Sequence, residues 1–450
     1  MRQEASILVG LLWCLALLSV LAVGVLHTAR MDLLVGKNFG DRIQAHYLAL
    51  AGVEKARALL YQNAQDRSRS RTSHDNKLYD NAGEFRDIAL GRGVYRVIRR
   101  ARPDEGGGIV YGVSDEESRL NLNTATTDEL NLLPNMTPDV LAAIDGWRGG
   151  NTLTTAVAEN DYYGSQRPPS QPRLGAFETV RELLMVRGVT PQLVYGRDVH
   201  LNELLDVAGE KGEDFATPRS VDPDDLGWAN LLTVNSSVNN VNAAGEDRVN
   251  VQTADQRALT ALQGVTAPIA QAIINYRGQN QLQSIADLLD VTAGQNQNQN
   301  QNQGARRPQG GNTGNAPSGP RAVSPEIFAD IADDVTVSSD TALAGAVNLN
   351  TAGLEVLICL PGLDRQLAQA IISQRQSNGF FTGLGDLLKV QGMTPDILKQ
   401  IAPLVTTRSE TYRILSEGRV TSTGARQRIQ AVVHVGLSTL QTLSWREDDL

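Results

Sequence analysis

The chain has 450 residues, 41% of them hydrophobic, so it is long enough for several compact units and apolar enough to give each a core. A net charge of −9 and a pI near 5.2 argue against a protein that coats nucleic acid. The two cysteines, Cys14 in an apolar run and Cys359 in a helical repeat, support neither a disulfide framework nor a cysteine zinc site.

Ser6 to Leu26 carries no charge and, at about 1.5 Å per residue, is long enough to cross a bilayer core of roughly 30 Å. A secretory signal peptide ending near Ala22-Val23-Gly24 is the alternative. Against it, the apolar run is long and the helical pattern continues through Leu33, Leu34, Ile43, Tyr47, Leu48, Val53, Ala56, Leu59 and Leu60 without a proline. The expectation is one helix from about Ser6 to Tyr61, roughly 80 Å long, half in the membrane and half packed on a soluble domain. Arg2 and Glu4 before the span, and Arg30, Lys37 and Arg42 after it, do not decide its orientation.

Gln62 to Glu84 reads as polar and turn-rich. Gly93 to Ile98 and Gly108 to Val113 then read as two strands, and Thr411 to Leu415 and Ile429 to Val435 as two more. The simplest closure is one antiparallel sheet built from both pairs on the long helix, with everything between them inserted. The sheet domain is therefore expected in two parts, 62–118 and 406–450, the second ending in a tail.

Between those parts one pattern occurs three times. Asn121-Leu122-Asn123-Thr124-Ala125, Asn250-Val251-Gln252-Thr253-Ala254 and Asn348-Leu349-Asn350-Thr351-Ala352 begin the copies. Equal spacing leads from each to a turn, at Pro134, at Gly264 and at Pro361-Gly362, and then to Arg148, Arg277 and Arg375. Second turns fall at Gly188 and Gly392, each followed by Thr-Pro. The middle copy breaks at Val291 and resumes at Ser324-Pro325-Glu326-Ile327, so the Gln/Asn-rich stretch 294–320 is an insertion within a hairpin. Each copy reads as a double helix-hairpin-helix unit, spanning 119–200, 250–337 and 338–405, with 201–249 as a connection carrying a strand-like Leu231 to Val234. Thr351 is placed to cap a helix. The fold class is α+β: a long N-terminal helix on a small antiparallel sheet, interrupted by three such units.

Candidate sites are sparse. The histidines, His27, His46, His74, His200 and His434, have no metal-ligand spacing. Asp222, Asp224 and Asp225, or Asp330, Asp333 and Asp334, are possible calcium ligands but lack EF-hand spacing. Arg67-Ser68-Arg69-Ser70-Arg71 reads as a solvated loop rather than a membrane-surface patch. No nucleophile–base pair, phosphate loop or carboxylate dyad is evident, so the chain is expected to be a non-enzyme with no cofactor.

Taken together, Leu11 to Leu18, Tyr47 to Glu54, Arg119 to Ala125 and Val347 to Val435 resemble the protein K family of the type II (general) secretion pathway, the large minor pseudopilins. The resemblance covers nearly the whole chain. It implies a pilin-like fold and assembly with other minor pseudopilins at the tip of a periplasmic pseudopilus, from a single inner-membrane span. It also implies cleavage by a prepilin peptidase, for which Ala5-Ser6 stands where the family favours glycine before the cut. Gly10 would then occupy the fifth mature position, where most pilins carry glutamate and the tip subunit does not.

The competing reading is a membrane-anchored DNA-binding protein for DNA uptake. Helix-hairpin-helix turns of that kind offer backbone N–H groups of a Gly-x-Gly turn to phosphate. Here the second glycine is replaced by Thr137, Thr266, Asp364, Thr190 and Thr394. In the third unit Arg365, Arg375, Lys389 and Lys399 are balanced by Glu355, Asp364, Asp386 and Asp396. Nucleic acid is therefore not the expected partner.

Overall fold

The computed structural model describes residues 2–70, 78–150, 162–196, 198, 227–293 and 320–447, with side chains from Val9 onward. Its first element is a single helix, Arg2–Ser70, of 69 residues and so about 100 Å long. From Val9 to Gly40 the helix is exposed all round. Beyond that point Asp41, Ala45, Leu48, Ala49, Val53, Ala56, Leu60 and Ala64 are buried at helical spacing. This half lies on the sheet, as expected, but the helix runs nine residues past Tyr61. Tertiary contacts hold the polar extension: Ala64 is buried and Ser68 Oγ donates to the Ala244 carbonyl at 2.8 Å.

The sheet is antiparallel, in the order Ile88–Leu90, Gly93–Arg100, Thr411–Val420, Arg426–Val435, Leu440–Arg446. Two short strands flank it. Ile109–Val110 pairs with Gly93–Arg100, and Ser114–Asp115 pairs with Thr411–Val420. The expected Gly108 to Val113 strand is thus only two residues long, and the expected tail contains an edge strand, Leu440–Arg446. The strand from Thr411 runs past Leu415 through Gly418, a residue disfavoured in strands. There the helix backbone lies so close that a Cβ would strike the Ala45 carbonyl and the Ala49 amide. Small residues on both sides set the close helix–sheet spacing.

The chain leaves the sheet at Asp115 and returns at Thr411, and all the helical units lie between. Each closes on a two-residue parallel pair: Leu120–Asn121 with Leu232–Thr233, Val249–Asn250 with Val335–Thr336, and Val347–Asn348 with Val405–Thr406. The first pair corrects the expected boundary at 200. Leu232–Thr233, expected in a connection, is the closing strand of the first unit, and the fully buried Trp228 donates its indole N–H to the Pro134 carbonyl at 2.9 Å.

The second unit is joined across the Gln/Asn-rich stretch. The Ala322 amide donates to the Val291 carbonyl at 2.7 Å and the Ala293 amide to the Pro320 carbonyl at 2.9 Å. Residues 294–319 themselves lie outside the described residues. Ser324 then caps Pro325–Ile331 just as Thr394 caps Pro395–Ile401, each accepting an amide at 3.3 Å. One continuous apolar core runs through all three units, from Leu120 to Val405. At the contact between the second and third units a Cβ on Gly385 would strike Ala329, so the close approach requires glycine.

Candidate functional site

The turns singled out in the sequence are built alike. In each, an amide closes onto the carbonyl three residues back: Met136 to Leu133, Val189 to Val186, Val265 to Leu262, Leu363 to Leu360 and Met393 to Val390, at 3.1–3.2 Å. The third turn residue has positive φ: 60° at Asn135, 80° at Gly188, 76° at Gly264, 75° at Gly362 and 91° at Gly392. This is the type II pattern, with Pro134 and Pro361 supplying the second position.

The next position decides what the turns can bind. Where a phosphate-binding turn has its second glycine, Thr137, Asp364, Thr190 and Thr394 cap the following helices. They accept the Val140, Leu367, Leu193 and Ile397 amides at 3.4, 2.7, 3.3 and 3.3 Å. In these four turns an amide of the first helical turn is taken by the chain's own side chain, whereas Thr266, at the same position in the second unit, makes no such bond. The nearby cations are occupied too. Lys389 meets Asp386 at 2.8 Å, Lys399 meets Asp290 at 2.6 Å, and the exposed Arg365 meets Glu355 at 3.3 Å.

The repeated arginines face inward. Arg148 donates to the Leu122 and Ala125 carbonyls at 3.0 and 2.7 Å, and Arg375 to the Leu349 and Ala352 carbonyls at 2.8 and 2.7 Å. Arg277 reaches the Val251 carbonyl at 2.7 Å. Pentad side chains work in the same way. Asn121, Asn250 and Asn348 each accept the amide two residues on at 2.9 Å. Asn123 and Asn350 fasten the second hairpins through Phe177 and Phe381. The repeat is a staple for the unit itself.

In the third copy the same residues also link the unit to the sheet domain. Arg375 is 5% exposed and pairs with Asp104 at 2.9 Å. Asn348 donates to Asp115 at 3.0 Å and to Ser409 at 2.6 Å. Thr351 does not cap a helix: Gly353 holds that position, and the Thr351 hydroxyl donates to Asp115. Glu117 accepts the Ser237 and Thr411 amides, both at 3.1 Å. Burial first, and then the Asp115 carboxylate, pushes the Glu117 carboxyl well above its usual range. This buried polar hub joins the sheet to the units. Sequence reasoning missed it because its members come from four separate stretches of chain; the only hint was the acidic run Asp115-Glu116-Glu117.

Ala5 and Ser6 lie on the first turns of the long helix. Of the acidic runs, Asp333 is taken by Arg248 at 2.7 Å and Asp334 by Asn242 at 2.9 Å, while Asp222, Asp224 and Asp225 lie outside the described residues. Among the described residues no group of three His, Cys, Asp or Glu is arranged to hold a metal.

Residues 344–406 match the helix-hairpin-helix motif family. The chain is 26% identical over 196 residues to rat (Rattus norvegicus) endonuclease/exonuclease/phosphatase family domain-containing protein 1, covering 42% of this chain and 33% of the relative. It is 36% identical over 73 residues to ComE operon protein 1 of Bacillus subtilis (strain 168), covering 16% of this chain and 36% of that one. The chain thus spans about a third of the length of the curated relatives it matches. Among solved structures, a chain of the GspK-GspI-GspJ complex from the enterotoxigenic Escherichia coli Type 2 Secretion System overlaps 90% of this chain and 98% of its own length. That superposition has a TM-score of 0.40 at 11% identity, too distant to argue from.

Proposed function

We propose that the chain is a non-enzymatic minor pseudopilin of a type II secretion system. In this reading it is held in the inner membrane by one N-terminal span, with its bulk in the periplasm, and it caps a pseudopilus and supports protein export across the outer membrane. The carrying observation is the division of the long helix. Its first half is apolar and unpacked, by length and composition able to cross a membrane, and its second half is the spine of an antiparallel sheet. A subunit of this shape docks by its helix among other helices. Gly10 offers no carboxylate there, which suits a subunit that need not neutralise the amine of another copy. The inserted units enlarge the head, which suits a single terminal copy. Cleavage at Ala5-Ser6 belongs to the same proposal.

The competing DNA-uptake reading draws on the helix-hairpin-helix match, but capped turn amides and paired cations oppose it. The deciding experiment is site-directed cross-linking in cells with cysteine introduced at Leu33, on the exposed half of the helix. The expected products are heterotypic adducts with other pilin-like subunits and no homotypic ladder. Filaments of this chain alone would refute tip placement. Duplex-DNA binding by the detergent-solubilised chain that falls steeply with salt would favour the uptake reading.

A further inference from the structure

A cavity of about 30 Å³ lies where the end of the long helix meets the helical units. Arg67 and Ser68 line it from the helix, Asn242 and Ala243 from the loop before the second unit, and Arg408 and Glu410 from the stretch returning to the sheet. Arg408 is 6% exposed. Its Nη1 lies a long 3.4 Å from Asp333, and among the described residues its Nε and Nη2 have no partner. Among the described residues Arg67 Nε is also unpartnered, while its guanidinium reaches the Ser409 carbonyl through Nη2 at 3.5 Å and the Tyr412 hydroxyl.

The nearby carboxylates make their short contacts with other groups. Asp333 is drawn to Arg248 at 2.7 Å, and Glu410 accepts the Asn239 amide and side chain at 2.9 and 2.7 Å. Burial, followed by the charge of Arg248, pushes Arg408 down to about 10 against the opposing charges of Asp333 and Glu410. Asp333 and Glu410 act on Arg408 through their charge, but neither gives its Nε and Nη2 an acceptor; buried N–H donors without acceptors are costly, and an ion supplies acceptor and charge together. A water supplies only the first.

We propose that a small monovalent anion of chloride size occupies the cavity beside Arg408 and ties the end of the long helix to the seam between the second and third units. The volume holds one such ion, since a single water needs at least about 10–15 Å³ on the same measure. An ion there would accept from Arg408 and Arg67 together, coupling helix and units without a direct contact between the two arginines.

The test is thermal unfolding of the detergent-solubilised full chain in sodium chloride, bromide and gluconate at equal ionic strength, gluconate being too large to enter. The expected result is a saturable rise of several degrees in chloride and bromide over gluconate, abolished in Arg408→Met. Arg67→Gln, which keeps Arg408, is expected to weaken the effect and serves if the first variant does not fold. Bromide added to crystals is expected to give an anomalous peak beside Arg408. Identical melting in all three salts, meaning water only, would overturn the proposal. So would a halide effect that survives in both variants, or a bromide peak confined to the surface.

Discussion

Arg375→Met separates an internal staple from a surface charge. The substitution keeps the apolar stem but removes the donors to the Leu349 and Ala352 carbonyls and the pair with Asp104. Each orphaned buried carbonyl costs about 1–3 kcal/mol. Asp104 keeps Arg102 at 3.3 Å, so loss of that ion pair adds only about 1 kcal/mol. The expected total is about 4 kcal/mol, a fall in melting temperature of roughly 8–16 °C at about 2–4 °C per kcal/mol for a body of 150–250 residues. Arg365→Met, on the same helix but exposed and touching only Glu355, is the control, and its expected cost is below about 1 kcal/mol. The assay is circular dichroism of the full chain in detergent, with urea titration as a second measure. A shift for Arg375→Met under about 1 kcal/mol, or one equal to that of Arg365→Met, would refute the staple.

The remaining expectations can be checked on the same preparation. Despite burial, hydrogen bonds from Arg99 and the charge of Arg102 hold the Glu105 carboxyl at about 2, below its ordinary 4.5. Its contribution to stability, roughly 3 kcal/mol, is therefore present above pH 4.5 and lost as pH falls toward 2, so Glu105→Gln is expected to cost that amount at pH 7 and almost nothing near pH 2. A pH-independent difference between the two proteins would contradict this. Gly418→Ala places a methyl group against the Ala45 carbonyl, and the expected loss is about 1–3 kcal/mol or more, whereas Gly424→Ala, with open space around its Cβ, is expected to show only its positive-φ strain. Equal melts for the two would show that the helix can move off the sheet freely. Replacing residues 294–319 by Asn-Gly, between ends already paired at Ala293 and Pro320, is expected to change the melt by only a few degrees, because closure entropy varies slowly with loop length. A drop of many degrees would mean that the insertion contributes to the core.

What the sequence by itself determined was everything that repeats at short range. The pentads, the turns at Gly264, Gly362, Gly188 and Gly392, and the Thr-Pro and Ser-Pro helix starts depend on residues within a few positions of one another. Such patterns are readable from spacing and cap chemistry alone, as is the apolar length of the helix. Tertiary structure decided which distant segments complete them. Leu232–Thr233 closes the first unit from over 100 residues away, a pairing with no local signal because two residues carry no periodicity. Asn348 sits in the same local motif as Asn121, yet the fold brings it to Asp115 while Asn121 meets Ser236. Thr351, a good cap by type, is instead committed to that buried carboxylate, whose burial demanded donors from wherever the fold could bring them. Gly418 reads as a strand breaker until the helix is laid across it, and then the missing Cβ is what lets helix and sheet meet.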